Sequence, residues 1–333
     1  MAKLLHRLAE LKMRRQAIQS PSGGPVLGVS SSMARLATQV GRLIEHPEIP
    51  VLLVGESGVG KEVVARYLHN LQCPQAPFEA LNCAAVPNTL IGSELFGYEK
   101  GAFTGATQRH AGLFERAGRG IAFLDEIGDM PVEIQPVLLR LLQERRFLRL
   151  GGGQENEIQC RIVFATHQEL RQLVETGAFR EDLYYRINVV QIVIPPLRER
   201  REDIVWLARK FVADFSQEHP DSPRFLSEVV CDYLTSCHWP GNVRELKNAV
   251  LRACVLNNRE VLEIEDFAYP QSETGGAGMA LQAQRQQSEK DHILATLRSH
   301  GLRVAETAQA LGISRKTLWQ KMKKYDIRRE KLS

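Results

Sequence analysis

Long apolar runs, paired cysteines and a secretion signal are all missing from this chain. No stretch approaches the roughly 20 apolar residues of a membrane span, which excludes a membrane-spanning helix. The six cysteines (Cys73, Cys83, Cys160, Cys231, Cys237 and Cys254) form no Cys-x-x-Cys pair, and no histidines cluster at metal-ligand spacing. They are expected to be reduced thiols in a cytoplasmic protein. The opening residues, Met1-Ala-Lys-Leu-Leu-His-Arg7, lack the apolar core and cleavage site of a signal peptide. What remains is an ordinary globular composition, 44% hydrophobic and 25% charged over 333 residues, enough for two or three domains.

Net charge is small, +4, but uneven. Residues 281–333 carry twelve Lys/Arg and five Asp/Glu, a net of +7, while the other 280 carry 31 and 34, a net of −3. A near-neutral body with a basic C-terminal end predicts a nucleic-acid-binding appendix.

The most informative stretch is Val51-Leu-Leu-Val-Gly-Glu-Ser-Gly-Val-Gly-Lys-Glu62. A short apolar strand runs into a Gly-x-x-x-x-Gly-Lys loop, followed by Val63, Val64, Tyr67 and Leu68 at helical spacing. That context predicts a phosphate-binding loop of Gly55, Glu56, Ser57, Gly58, Val59, Gly60, Lys61 and Glu62. The glycines let main-chain N–H groups face a phosphate, and the helix N-terminus adds its positive end. Lys61 would reach the β- and γ-phosphates of ATP. Glu62 stands where a Ser or Thr usually helps to hold Mg²⁺.

From Val26 to about Pro195 apolar runs alternate with helical patterns. Val51–Val54, Ala80–Asn82, Ile121–Leu124, Arg161–Ala165 and Val189–Ile194 are predicted strands, with a helix over Glu133–Glu144. The expected fold is α/β, a parallel sheet covered by helices. The strand Ile121-Ala-Phe-Leu-Asp-Glu126 ends in two acids and is expected beside the first strand. Asp125 would then hold Mg²⁺, and Glu126 would orient and deprotonate the attacking water. Residues 202–266 read as wholly helical, a smaller lid domain within 196–270. Residues 1–25 combine an amphipathic leader and a polar linker, and a docking helix and a tail that orders little fit it equally. Residues 271–287 are a glycine-rich linker.

At the C-terminus, Val304, Ala308 and Leu311 form one apolar helical face, Gly312 supplies a turn, and Ser314 caps a second helix whose core side is Leu318 and Met322. This predicts a helix-turn-helix within 288–333. Its DNA-binding residues are expected to be Ser314, Arg315, Lys316, Thr317, Gln320, Lys321 and Lys324, a polar and basic set suited to the major groove.

Gly55–Glu62, Glu94-Leu-Phe-Gly97, Gly101-Ala-Phe-Thr-Gly-Ala106, Phe123-Leu-Asp-Glu126, Pro195-Pro-Leu-Arg-Glu-Arg200 and Trp239-Pro-Gly-Asn-Val-Arg-Glu-Leu246 together resemble the bacterial enhancer-binding proteins. These are AAA+ ATPases that activate sigma-54 RNA polymerase, and their C-terminal helix-turn-helix is of Fis type. A Glu after the loop Lys is usual among them, which accounts for Glu62. The resemblance implies that Gly101, Ala102, Phe103, Thr104, Gly105 and Ala106 contact sigma-54, and that 148–156 is a second loop moving with the first. It implies that Asn82 couples to Glu126, that Thr166 and Arg244 sense the γ-phosphate, and that Arg180 and Arg186 act on a neighbouring subunit's nucleotide. Such a finger is worth about 10³–10⁵ in rate. His167 departs from the family, where Asn is commoner.

The resemblance implies a homo-oligomeric ring, a hexamer, that binds enhancer DNA and uses ATP and Mg²⁺ to open sigma-54 promoter complexes. No sensory domain is read before residue 26, and control by a separate regulatory protein, control by expression level and a chain shortened by loss of its sensor all fit. An AAA+ unfoldase would lack the Gly101–Ala106 hexapeptide. A non-enzymatic repressor would not need Lys61, Asp125, Glu126 and the two finger arginines together.

Overall fold

The computed structural model describes residues 26–267 and Thr307. The predicted leader (1–25), the linker (271–287) and the helix-turn-helix contacts Ser314, Arg315, Lys316, Thr317, Gln320, Lys321 and Lys324 lie outside the described residues. Among the described residues no helix is long and apolar enough to cross a membrane.

Five strands form one parallel sheet: β1 (Val51–Val54), β2 (Phe78–Asn82), β3 (Ile121–Asp125), β4 (Arg161–Thr166) and β5 (Val190–Val193), in the order β2-β3-β4-β1-β5. Val51 pairs with Val163 on one side and Val190 on the other. The central strands β3 and β4 are buried on both faces, as their unbroken apolar runs require. Side chains alternate between two cores. Leu52, Leu124 and Phe164 face one side with Ile91, Leu95 and Leu138; Leu53, Phe123 and Val163 face the other with Leu36, Val40 and Val64. The helices α1 (Ser31–Arg42) and α2 (Lys61–Gln72) cover the second core, and α3 (Asn88–Phe96) and α4 (Gln135–Glu144) cover the first.

One expectation is corrected by the topology. β3 is not beside β1, because β4 is inserted between them and bonds to both. Strand order is set by which faces must be buried across the whole sheet, and nothing local to Ile121–Asp125 encodes it. The consequence is chemical: the end of β4, Thr166 and His167, comes between the phosphate loop and the acidic pair.

The helix α5 (Glu181–Ile187) packs in the first core; beyond Pro195-Pro196 the chain folds into a further core built on α6 (Arg201–Glu218), α7 (Glu228–Ser236) and α8 (Asn242–Leu256). Ile204, Ala208, Leu234, Leu246, Val250 and Ala253 are its centre. It is not wholly helical as predicted: Phe225–Leu226 and Val261–Leu262 form a two-residue parallel pair, too short to leave a period in the sequence.

The first described residues are tied to this further core by Asp203, which is fully buried. Its carboxylate accepts from the main-chain N–H groups of Val29 (2.6 Å) and Ser30 (2.8 Å) and from the Ser30 hydroxyl (2.7 Å). A Cβ on Gly28 would stand 2.8 Å from the same carboxylate, so the approach requires glycine. The Ser30 hydroxyl in turn caps α1 through the N–H of Met33. Asp203→Ala strands the N–H groups of Val29 and Ser30, while the Ser30 hydroxyl keeps the Ser32 hydroxyl (3.0 Å) as a partner. At about 1–3 kcal/mol for each buried group left unpaired, the loss should be roughly 2 kcal/mol or more. Urea unfolding should show it as a lower midpoint at an unchanged slope, and an unchanged midpoint would contradict the assignment.

Candidate nucleotide site and surface loop

β1 delivers the chain into residues 55–60 at the C-terminal edge of the sheet. Gly58 (φ 76°) and Gly60 (φ 104°) adopt the left-handed conformation that glycine takes at no steric cost. At Gly58 there is a second reason: a Cβ would lie 2.4 Å from the Gly241 carbonyl oxygen of the further core. Gly60 caps the twelve-residue α2 without a side-chain hydrogen bond, so the helix N-terminus keeps donors for an anion. Lys61 is buried. Its Nζ donates to the Gly55 carbonyl (3.1 Å) and lies 3.6 Å from Glu126 Oε1.

Not every residue of the loop faces this opening. Glu56 turns its carboxylate to the further core, where Arg198 binds both oxygens (2.8 and 2.7 Å) and Asn242 Nδ2 donates to one (3.0 Å). Asn242 also donates to the Ser57 carbonyl (3.1 Å), and its own side-chain oxygen accepts from the N–H of Leu197 (2.8 Å). Arg200 donates to the Val59 carbonyl (2.7 Å). Arg244, expected here, does reach the loop and donates to the Ser57 hydroxyl (3.3 Å). Glu62 is exposed and paired with Arg66 one turn along α2 (2.7 Å). Sequence reasoning did not single out Arg198 or Asn242. Their motifs were visible, but a partner 142 or 186 residues distant was not. Beside α2 a groove of about 300 Å³ opens between Leu27, Val63, Tyr67 and Trp206.

The acidic pair closes the other side. Asn82 and Asp125 are in register at the ends of β2 and β3. Asp125 Oδ1 accepts from the Glu126 N–H (3.1 Å). Burial first, and the neighbouring Glu126 carboxylate second, push the Asp125 carboxyl above its ordinary value. A carboxylate so placed gains from a cation. Mg²⁺ needs hard oxygen ligands and is satisfied by one or two carboxylates with phosphate oxygens and water. Asp125 fits that donor set, and no group of three or more potential metal ligands competes among the described residues.

Glu126 is left-handed (φ 52°) without being glycine, a costly conformation that fixes where its side chain leaves the chain. Its Oε2 meets His167 twice, at Nδ1 (2.7 Å) and at the main-chain N–H (3.3 Å). Asn82, expected to engage Glu126, is occupied otherwise: its Oδ1 accepts from Ala84 and Ala85, and its Nδ2 lies 3.5 Å from Asp125 Oδ2. Thr166 is fully buried, and its hydroxyl accepts from the N–H of Gln168 (2.9 Å). Arg180 and Arg186 are exposed at the start and the end of α5. Arg180 is clasped by both Asp182 oxygens, and Arg186 donates to the Leu142 carbonyl (3.0 Å). These bonds do not bring either arginine to Lys61, Asp125 or Glu126.

Gly101–Ala106 projects from a two-residue antiparallel pair, Gly97–Tyr98 with His110–Ala111. Gly101 (φ 84°) and Gly105 (φ 108°) have open space around them, and Gly101 N–H bonds the Ala106 carbonyl (2.8 Å). Phe103 is 45% exposed and rests edge-on against Tyr98, with ring centroids 4.9 Å apart; Thr104 is exposed, and Ala106 is buried. The second loop grows from Arg146–Leu148 paired with Glu155–Glu157. Leu150 exchanges hydrogen bonds with Gly97 and Glu99 (both 3.0 Å), so the two loops share a base. Arg149, which the sequence did not flag, is buried there and binds Glu99 (2.6 Å), Glu115 (3.0 Å) and Asn156 (3.1 Å).

Comparison with known proteins matches three families in succession: the Sigma-54 interaction domain over residues 26–193, the AAA+ ATPase lid domain over 198–283, and the bacterial regulatory protein Fis family over 284–325. Regulatory protein AtoC of Escherichia coli is 41% identical over 96% of this chain and 71% of its own length. The transcriptional regulator NtrC of Azospirillum brasilense is 40% identical over 91% and 70%. For the nitrogen fixation protein AnfA of Azotobacter vinelandii the identity is 41% over 91% of this chain but only 57% of that protein. Crystal structures of NtrX from Brucella abortus in complex with ADP and with ATP superpose with TM-scores of 0.68 and 0.66. Each is 30% identical and covers 98% of this chain, which spans 74% and 73% of those chains.

The Glu56 latch has a pH signature. The hydrogen bonds from Arg198 and then Asn242 hold its carboxyl down at about 2, from an ordinary 4.5. A depressed carboxyl stabilises the folded state fully above its unfolded value and loses that contribution as pH falls through the folded one. Glu56→Gln should therefore lower the urea midpoint relative to the unaltered protein at pH 7, and the difference should shrink as pH falls from about 4.5 toward 2. A difference independent of pH would contradict the latch.

Proposed function

The chain belongs to the sigma-54 interaction domain family of AAA+ ATPases, with the lid and Fis-type DNA-binding domain of enhancer-binding transcription activators, and on that premise we propose how its own residues carry the reaction. The observation that supports the reading best is the meeting of Lys61, Asp125 and Glu126 at one edge of the sheet, below a glycine loop backed by a helix N-terminus. ATP lies along residues 55–62, with its phosphates at the N-terminus of α2 and its base in the groove beside Leu27, Val63 and Tyr67. Lys61 leaves the Gly55 carbonyl for the β- and γ-phosphates. Asp125 holds Mg²⁺, which supplies charge neutralisation at the phosphates.

Glu126 orients a water and takes its proton as the water oxygen bonds to the γ-phosphorus. The bond from phosphorus to the β–γ bridging oxygen breaks, and the electron pair leaves on ADP. Thr166 and Arg244 report the γ-phosphate. Arg180 and Arg186 act in trans: in a ring they leave Asp182 and Leu142 and neutralise charge on a neighbour's nucleotide, so turnover requires the oligomer. The DNA-binding domain tethers the ring upstream of the promoter and raises its local concentration. The Gly101–Ala106 loop carries the work to sigma-54, with its movement transmitted through the shared base at Gly97, Glu99 and Leu150.

Two substitutions test this. Lys61→Ala should abolish nucleotide binding, measured by calorimetry, while binding of a duplex carrying the protein's mapped site survives; retained ATP affinity would overturn the loop assignment. Thr104→Ala should keep ATPase activity within about twofold and lose open-complex formation by tenfold or more, in a permanganate footprint of a sigma-54 promoter. Full promoter opening by Thr104→Ala would overturn the loop's role.

A further inference from the structure

The first residue of α4 is a buried amide to which neither the family match nor the phosphate-loop chemistry gives a part in the reaction. We propose that Gln135 is a positioning residue for hydrolysis at the neighbouring subunit's nucleotide, its amide fixing the main chain of Arg180 against the turn that follows Glu126. The inference rests on the proposed function, in which Arg180 acts in trans, and adds to it the group that sets that arginine.

Three observations carry it. The first is the amide itself. Gln135 is fully buried, and its side chain bonds only to main chain. Nε2 donates to the carbonyls of Met130 (2.9 Å) and Ala178 (3.1 Å), and Oε1 accepts from the N–H of Arg180 (2.8 Å). Two carbonyls on one side and an N–H on the other allow only this orientation of the amide. With its partners in two segments far apart in the chain, it acts as a clamp.

The second is what the clamp joins. Met130 closes the turn that begins at Glu126: the N–H of Asp129 bonds the Glu126 carbonyl (3.0 Å), and that of Met130 bonds the Ile127 carbonyl (3.1 Å). Ile127 and Met130 are buried in the first core, so this end is anchored independently of the amide. Arg180 stands at the other end, with extended main chain just before α5. Its carbonyl accepts from the N–H of Tyr184 (3.0 Å), and its own N–H is taken by Gln135. Between the buried Phe179 and Leu183, that bond sets the direction in which an exposed guanidinium leaves the core.

The third is that Arg186 is held by the same helix. It donates to the carbonyl of Leu142 (3.0 Å), about two turns along α4 from Gln135. Both arginines are therefore referred to α4, one at its first residue and one near its end. A charge delivered across an interface acts on the transition state only where its placement is preset.

Mixed rings separate this role from that of a merely structural amide. Gln135→Met removes the amide, and Gln135→Asn withdraws it by one methylene while leaving fewer polar groups unpaired. Both are assayed as full chains, and each one that circular dichroism shows to be folded is read. It should have kcat for ATP lowered about tenfold or more, with its affinity for ADP, measured by calorimetry, within threefold of the unaltered chain. Glu126→Gln has an inactive site of its own and an intact Arg180. In an equimolar mixture with it, about a quarter of the interfaces of a randomly assembled ring pair an intact site with an intact finger. Turnover should then exceed the mean of the two separate rates threefold or more. Arg180→Ala in place of Glu126→Gln should restore nothing. Unchanged kcat in a Gln135 variant overturns the proposal, and so does a mixture with Glu126→Gln no faster than its parts. Loss of folding in both variants assigns the amide to the fold alone and overturns it too. If Arg180→Ala by itself turns over ATP at the unaltered rate, the reading beneath the proposal fails, whatever Gln135 does.

Discussion

The ion pair between Glu56 and Arg198 is the contact through which the sheet domain and the helical lid share one loop. Its energy as a partly exposed pair is modest. Its position is what matters. Glu56 follows the first glycine of the phosphate loop, and its two partners, Arg198 and Asn242, begin the two halves of the lid. Arg200 on the Val59 carbonyl and Arg244 on the Ser57 hydroxyl attach the same six-residue loop at further points. A close approach of Gly58 to Gly241 leaves no room for slack. A loop so held cannot change shape when a phosphate arrives or departs without pulling on the lid, and the lid is also bound to the start of the sheet domain through Asp203.

On the opposite side of the nucleotide edge, β4 plays the matching part. Its insertion between β1 and β3 separates the phosphate loop from the acidic pair by one strand, and the end of that strand fills the gap with Thr166 and His167. The loop hydrogen-bonds to it directly, Gly55 N–H to the Thr166 carbonyl (3.3 Å), and Glu126 bonds to its next residue. The phosphate loop and the Glu126 carboxylate are therefore both referred to the same rigid strand. The surface loop is supported separately, by the hydrogen bonds of Leu150 and the buried guanidinium of Arg149, so that Phe103 and Thr104 can be carried on glycines without loosening the base.

The sequence disclosed what is encoded locally. Gly58 and Gly60 must be glycine for reasons of main-chain conformation, and the strand before them and the helix after them carry their own periods, so the phosphate loop was legible. The ends of the predicted strands shifted by one or two residues, from Ala80 back to Phe78 and from Leu124 out to Asp125. What was hidden is relational. The position of β4, the turning of Glu56 toward a partner 142 residues away, the burial of Arg149 beneath two loops and the engagement of Glu126 by His167 depend on which elements meet, and no spacing within one segment reports that. His167 did stand out in the sequence as a departure, but only the fold shows what the imidazole touches.

In the proposed function a fixed loop, a fixed strand and a glycine-bearing fingertip work as a device that converts bond cleavage at the sheet edge into displacement at a surface. The claim is that cleavage itself, and not nucleotide occupancy, does the work on the polymerase. Promoter melting by the intact protein with sigma-54 polymerase, followed by permanganate reactivity of unpaired thymines, decides it. Melting with ATP and none with a non-hydrolysable analogue at equal occupancy is the predicted result; equal melting with both would contradict the account.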